Sequence, residues 1–135
     1  MPARESDADR VLSPRGRDET RALGRALLDR GLLPDRIVTS PLVRAVQTAE
    51  LLAGVLSYPA VVGCDPALIP EGDPWRAETA LAEAEGLIIA VTHEPIVRVI
   101  AARLLGIASH PPFRTSGAVL IDGARIVLRL DHSTP

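Results

Sequence analysis

From residue 14 onward, apolar positions fall at helical spacing and in short strand-like runs, in alternation to the end of the chain. Ser13-Pro14 reads as an N-cap with proline in the first turn, and Leu23, Ala26 and Leu27 keep helical spacing to Gly31, so the pattern predicts a helix over about 14–30. Ile37-Val38-Thr39 is a β-branched run ended by Ser40-Pro41, and Leu42, Val46, Ala49, Ala53 and Leu56 then form one face of a second helix. The strand-then-helix order recurs twice. Ala60-Val61-Val62 precedes a helix opened by Asp73-Pro74 and running to about Glu85; Leu87-Ile88-Ile89-Ala90-Val91 precedes one opened by Pro95 and running to about Leu105. Three such units predict a parallel sheet covered by helices. The tail AVLIDGARIVLRL predicts two strands around Asp122-Gly123, a hairpin. The first helix has no apolar strand before it, whereas doubly wound domains ordinarily open with one, so a piece of the fold is expected to be missing at the front.

Composition narrows what such a domain does. At 135 residues the chain is one domain, large enough to bury a core without disulfides or metals. A net charge of −2 excludes a broad nucleic-acid-binding surface, whose affinity needs many neutralised phosphates, and leaves small, locally held anions as ligands. All 15 basic residues are arginine, which removes lysine Schiff-base and Walker-lysine chemistry and favours bidentate recognition of phosphate or carboxylate. No set of His, Cys, Asp and Glu keeps metal-ligand spacing, and neither metal nor cofactor is expected. One cysteine, a charged first stretch MPARESDADR and the lack of a long apolar run suggest a protein of the reducing cytoplasm that does not insert into a membrane.

In open α/β sheets, ligands sit beyond the carboxyl ends of the strands, where helix N-termini aim free N–H groups at anions. Arg44 falls in the first turn of the second helix, just past a strand end, where guanidinium and helix N-terminus can grip one phosphate together; an exposed surface ion pair is the plainer alternative. His93, in Val91-Thr92-His93-Glu94-Pro95, ends an apolar strand and precedes a helix, and the plainer alternative is a histidine that only satisfies nearby backbone groups. Glu71 and Asp73 lie at a third such junction: Asp73 reads as an N-cap, Glu71 as a residue of the pocket mouth. His110 and His132 read as solvated loop residues, Phe113 to Gly117 as turn chemistry, and Trp75 as packing its helix start.

Together these segments resemble a known family. Ser40-Pro-Leu-Val-Arg44-Ala-Val-Gln-Thr48-Ala resembles the S-P-x-x-R-A-x-Q-T-A segment of the histidine phosphatase (phosphoglycerate-mutase-like) superfamily. Val91-Thr-His93-Glu-Pro95 is similar to its second-histidine motif, and Leu12-Ser13-Pro14-Arg15-Gly16-Arg17 to its L-[ST]-x-x-G-x segment. Leu68-Ile-Pro-Glu-Gly-Asp73-Pro falls where the short phosphohistidine phosphatase (SixA-like) branch has a comparable turn, so the resemblance spans essentially the whole chain. It implies a three-layer α/β/α fold and a two-step phosphatase. A histidine in an N-terminal R-H-G motif attacks phosphorus, and water then hydrolyses the phosphohistidine. Arg44 matches the phosphate-clamping arginine and His93 the second pocket histidine, with the backbone N–H of Glu94 as a further donor. Glu71 is the candidate general acid.

The departure from the family pattern is that no R-H-G occurs, and Pro2-Ala3 resembles the residues that follow it in many members. The expectation is an N-terminally truncated domain that begins just past its nucleophile. Either an upstream strand ending in Arg-His belongs to the true protein, which is the favoured reading, or the short chain is real and catalytically dead. The expected substrate is a protein-borne phosphohistidine or a small phosphomonoester, because the interval between Arg44 and His93 leaves an open pocket. The competing functions are a non-catalytic phosphate- or phosphoprotein-binding relative and, last, an unrelated receiver- or flavodoxin-like domain, for which the sequence has neither acidic cluster nor glycine-rich first loop.

Overall fold

The computed structural model describes residues 10–135. Helix α1 (Pro14–Asp29) starts as its cap demands: Ser13 Oγ accepts from the Gly16 amide at 3.0 Å, and Pro14 occupies a position whose N–H has no helical partner to lose. There follow β1 (Arg36–Thr39), α2 (Val43–Val55), β2 (Gly63–Cys64), a 3-10 turn at Pro66–Leu68, α3 (Pro74–Glu83), β3 (Ile88–Val91), α4 (Ile96–Leu105), β4 (Ala118–Asp122) and β5 (Arg125–Leu130).

Strand β1 is the middle of a three-stranded parallel sheet in the order β2-β1-β3. It pairs with β3 from Arg36 opposite Ile88 to Thr39 opposite Val91, and with β2 at Val38–Gly63 and Thr39–Cys64. Because side chains alternate across the pleat, Ile37, Ile89 and Val91 pack on one face with Ala49 and Ala53 of α2. Val38, Ile88 and Ala90 pack on the other with Ala77 of α3 and Ile96 and Ile100 of α4. Helices on both faces of one sheet make three layers, with the core in two slabs. Helix α1 packs on α2, and a Cβ at Gly24 would stand 3.0 Å from Val55 Cγ1, so any larger residue there would press on the Val55 side chain where the two helices meet.

The second strand forms three residues later than the β-branched run suggests. Ala60 to Val62 carry the composition of a strand, yet Val61 is 90% exposed and only Gly63 and Cys64 reach the register of β1. Pairing partners, not β-propensity, decide where a short strand falls. Trp75 does not pack its helix start: it is 63% exposed, with the Arg103 guanidinium 5.1 Å from its ring centroid. Ala77 holds the inward face of α3, and a position two residues away points roughly the opposite way.

The tail forms its hairpin as a separate two-stranded antiparallel sheet, β4-β5. Asp122 pairs with Arg125, so the turn residues are Gly123 and Ala124, one step later than expected. The ladder slips between Leu120–Leu128 and Ile121–Ile126, leaving Val127 as the extra residue of a bulge. The expected truncation point at Pro2-Ala3 lies outside the described residues.

Candidate functional site

Strands β1 and β3 end side by side. The Ser40 amide donates to the Val91 carbonyl at 3.0 Å, carrying the ladder one residue past β1, so the loops to α2 and α4 leave the sheet at the same end. Ser40-Pro41-Leu42 leads into α2, whose second residue is Arg44. Thr92-His93-Glu94-Pro95, with a cis Glu94–Pro95 bond, leads into α4. The two loops meet through side chains: Ser40 Oγ lies 2.5 Å from His93 Nε2 and also accepts from the Leu42 amide at 3.3 Å. Ser40 and Thr39 are both fully buried.

A third loop closes over the same end. The Thr92 hydroxyl donates to the Leu68 carbonyl at 2.8 Å, tying β3 to the turn that precedes α3. A Cβ at Gly72 would fall 2.1 Å from the Ala67 carbonyl oxygen, so this turn folds back on itself only with glycine.

The four longer helices begin in two different ways. Ser13 caps α1 and Asp73 caps α3, its carboxylate accepting from the Arg76 amide at 3.1 Å. By contrast α2 and α4 begin at Leu42 and Pro95 with no side-chain cap. The two helices that start beside Arg44 and His93 therefore offer amide groups without a capping oxygen from their own N-cap residues. A planar guanidinium fork, an imidazole and helix amides around one strand end suit a small tetrahedral oxyanion.

The Glu94 side chain has a structural part of its own. Its carboxylate accepts from the Phe113 amide at 2.6 Å through Oε1 and pairs with Arg98 Nε at 3.0 Å through Oε2, so the side chain ties the loop before β4 to the start of α4. Glu71 is exposed on the turn beside Gly72.

The other two histidines lie elsewhere. His110 is not a solvated loop residue: it is only 6% exposed, its Nδ1 sits 2.7 Å from the Pro111 carbonyl, and Arg129 lies 3.2 Å from its Nε2. Since arginine can only donate, Nε2 accepts and Nδ1 carries the proton. His132 is exposed, as its loop position suggested, and lies 3.9 Å from Glu19. Sequence reasoning brought Arg44 and His93 to one place and passed over Ser40. The available signal was its position at a strand end directly before Pro41, but its partner stands 53 residues away and is visible only once β1 and β3 are neighbours.

The chain is a three-layer α/β domain with an arginine and a histidine at adjoining strand ends, and its relatives identify the family. The profile of the histidine phosphatase superfamily (branch 1) matches residues 3–69. The phosphohistidine phosphatase SixA of Escherichia coli (strain K12) is 30% identical over 115 residues, covering 82% of this chain and 71% of that protein. The chain belongs to the histidine phosphatase superfamily, branch 1, and within it is SixA-like. The solved structure of the protein histidine phosphatase SixA complexed with tungstate superposes with a TM-score of 0.87 at 26% identity, covering 98% of this chain and 90% of that one. A candidate phosphohistidine phosphatase SixA from Agrobacterium tumefaciens superposes at 0.80 with 22% identity, over 96% and 89% of the two chains, which supports the fold alone.

Proposed function

We propose that this domain handles the phosphoryl group of a protein-borne phosphohistidine or a small phosphomonoester, with Arg44 and His93 holding the phosphoryl oxygens. The observation that carries this reading is that β1 and β3, paired in register, deliver both residues to one end of the sheet beside two helices without side-chain caps. Phosphoryl transfer asks for fixed positive donors around three equatorial oxygens, which a guanidinium, an imidazole and helix amides supply. The relative in E. coli is a phosphohistidine phosphatase, and a SixA structure holds tungstate, an oxyanion that stands in for phosphate. Both favour the same ligand class here.

In the two-step reaction that the family implies, an imidazole nitrogen attacks phosphorus as the bond to the leaving group breaks. Water then cleaves the new P–N bond, giving inorganic phosphate and restoring the imidazole. A phosphohistidine leaving group needs less acid assistance than an alkoxide, so an open rim with only Glu71 as candidate acid suits it. We place the reaction in the cytoplasm, where the exposed thiol of Cys64 stays reduced. No described helix is long and apolar enough to cross a membrane.

The sequence contains no Arg-His-Gly tripeptide, and this favours a second reading for the chain as written: a relative that binds phosphate or a phosphoprotein without turning it over. Tungstate titration separates these ideas from a structural role for the residues. The 135-residue chain is expected to gain thermal stability with tungstate, by about 2.7 kcal/mol at a hundredfold excess over Kd, and to lose that gain in Arg44→Ala. Equal stabilisation of Arg44→Ala and the unaltered chain would remove Arg44 from the site. Hydrolysis of a phosphohistidine peptide by the same chain decides between turnover and binding alone, and little or none is expected.

A further inference from the structure

We infer that Ser40 is a positioning residue for His93, fixing its ring and holding it as the tautomer that carries its proton on Nδ1. The inference rests on the reading of His93 as a phosphate-holding residue, and its geometry stands independently of that reading. Ser40 is placed rigidly: its backbone is bound into the β1–β3 ladder through Val91, and its side chain is fully buried. A buried hydroxyl is best satisfied when it both accepts and donates. Its oxygen accepts from the Leu42 amide at 3.3 Å. Its hydrogen then needs an acceptor, and among the described residues the group in reach is His93 Nε2 at 2.5 Å. A nitrogen that accepts carries no hydrogen, so in the neutral ring the proton resides on Nδ1.

The consequence is chemical. With its lone pair committed to Ser40, the imidazole meets a phosphoryl oxygen that approaches its other nitrogen with an N–H rather than with a second lone pair. Donation replaces repulsion, and the ring does not have to turn when the anion arrives. Full burial also argues against Ser40 itself as the nucleophile of a serine–histidine pair, because its oxygen presents no surface to a substrate phosphorus.

The test is nitrogen-15 NMR of the ring nitrogens in the 135-residue chain, read at a pH where His93 is neutral, together with tungstate affinity. The expected spectrum shows His93 protonated on Nδ1, with Ser40→Ala shifting the ring toward the Nε2-protonated form usual for free imidazole. Ser40→Ala is expected to weaken tungstate binding about three- to tenfold, the scale of one hydrogen bond. Ser40→Thr, which keeps the hydroxyl, should retain the Nδ1–H signature, and Ser40→Cys, which keeps volume but only a weak donor, should behave like alanine. If the added methyl of threonine does not fit, cysteine and alanine carry the decision. An Nε2–H spectrum in the unaltered chain overturns the inference, as does a Ser40→Ala variant with unchanged ring signals. Tungstate affinity unchanged in both Arg44→Ala and His93→Ala would instead overturn the phosphate-site reading and leave the tautomer assignment standing.

Discussion

Arg44 and His93 illustrate how far single residues can be read from a sequence. Each stands at a strand-to-helix junction, and such a junction in a parallel sheet points its first helical turn at the ligand side whatever the details of packing. Their roles are tested where the nucleophile is present. In a protein that supplies an upstream strand ending in Arg-His-Gly, Arg44→Ala and His93→Ala are each expected to lower phosphatase turnover by at least about a hundredfold, the usual cost of a lost oxyanion donor. Steady-state kinetics on a phosphohistidine peptide measures this, and unaltered rates in both variants would refute the assignment. Ser40 was not legible in the same way. Its hydroxyl gains meaning only from a partner on a strand distant in sequence, and nothing local distinguishes it from any serine before a proline.

Elements were legible to the extent that their signals are local. The start of α3 came from Asp73-Pro74 alone, and the carboxylate does cap the Arg76 amide. Asp73→Ala is therefore expected to cost about 1 kcal/mol in denaturant unfolding, the usual cost of a lost cap. The end of β5 passes into a tail organised by Asp131. Its carboxylate accepts from the Ser133 hydroxyl and amide and lies 3.3 Å from Arg114, and these bonds to Ser133, with smaller help from Arg114 and His132, hold its pKa below the ordinary value of 3.8. A depressed carboxylate stabilises its fold above its unfolded pKa and loses that contribution as pH falls through the folded value. The tail is thus expected to stay docked at neutral pH and to loosen only below about pH 3.8, seen as growing exchange of the Ser133 amide; loosening at pH 5 to 6 would contradict it. Strand β2 was expected three residues too early because two residues paired to β1 leave no periodicity to read.

At the scale of the whole molecule, the site is supported by the two slabs of core on either side of the sheet. Ile37 is fully buried on β1 against α2, two residues before Thr39 and three before Ser40. Ile37→Ala is expected to destabilise the domain by about 2–5 kcal/mol in urea unfolding, and a cost under about 1 kcal/mol would show that this slab does not hold the strand ends. Away from the site, Glu19 joins distant parts of the chain: Arg15 on its own helix at 3.0 Å, the Ser116 hydroxyl at 3.2 Å and His132 at 3.9 Å. The same scale explains His110, which lies in a proline-rich loop by sequence but is covered by the packing of that loop against β5.

What the sequence by itself determined was the succession of helices and strands, the family and the two junctions that carry Arg44 and His93. Those follow from caps, periodicities and short motifs, all encoded within a dozen residues or fewer. What only the tertiary structure decided was which strand lies beside which, and with it the Ser40–His93 contact, the position of β2, the burial of His110 and the outward face of Trp75. Each of these depends on a partner far away in the chain, and pairing across that distance is set by the packing of the whole sheet rather than by any local preference.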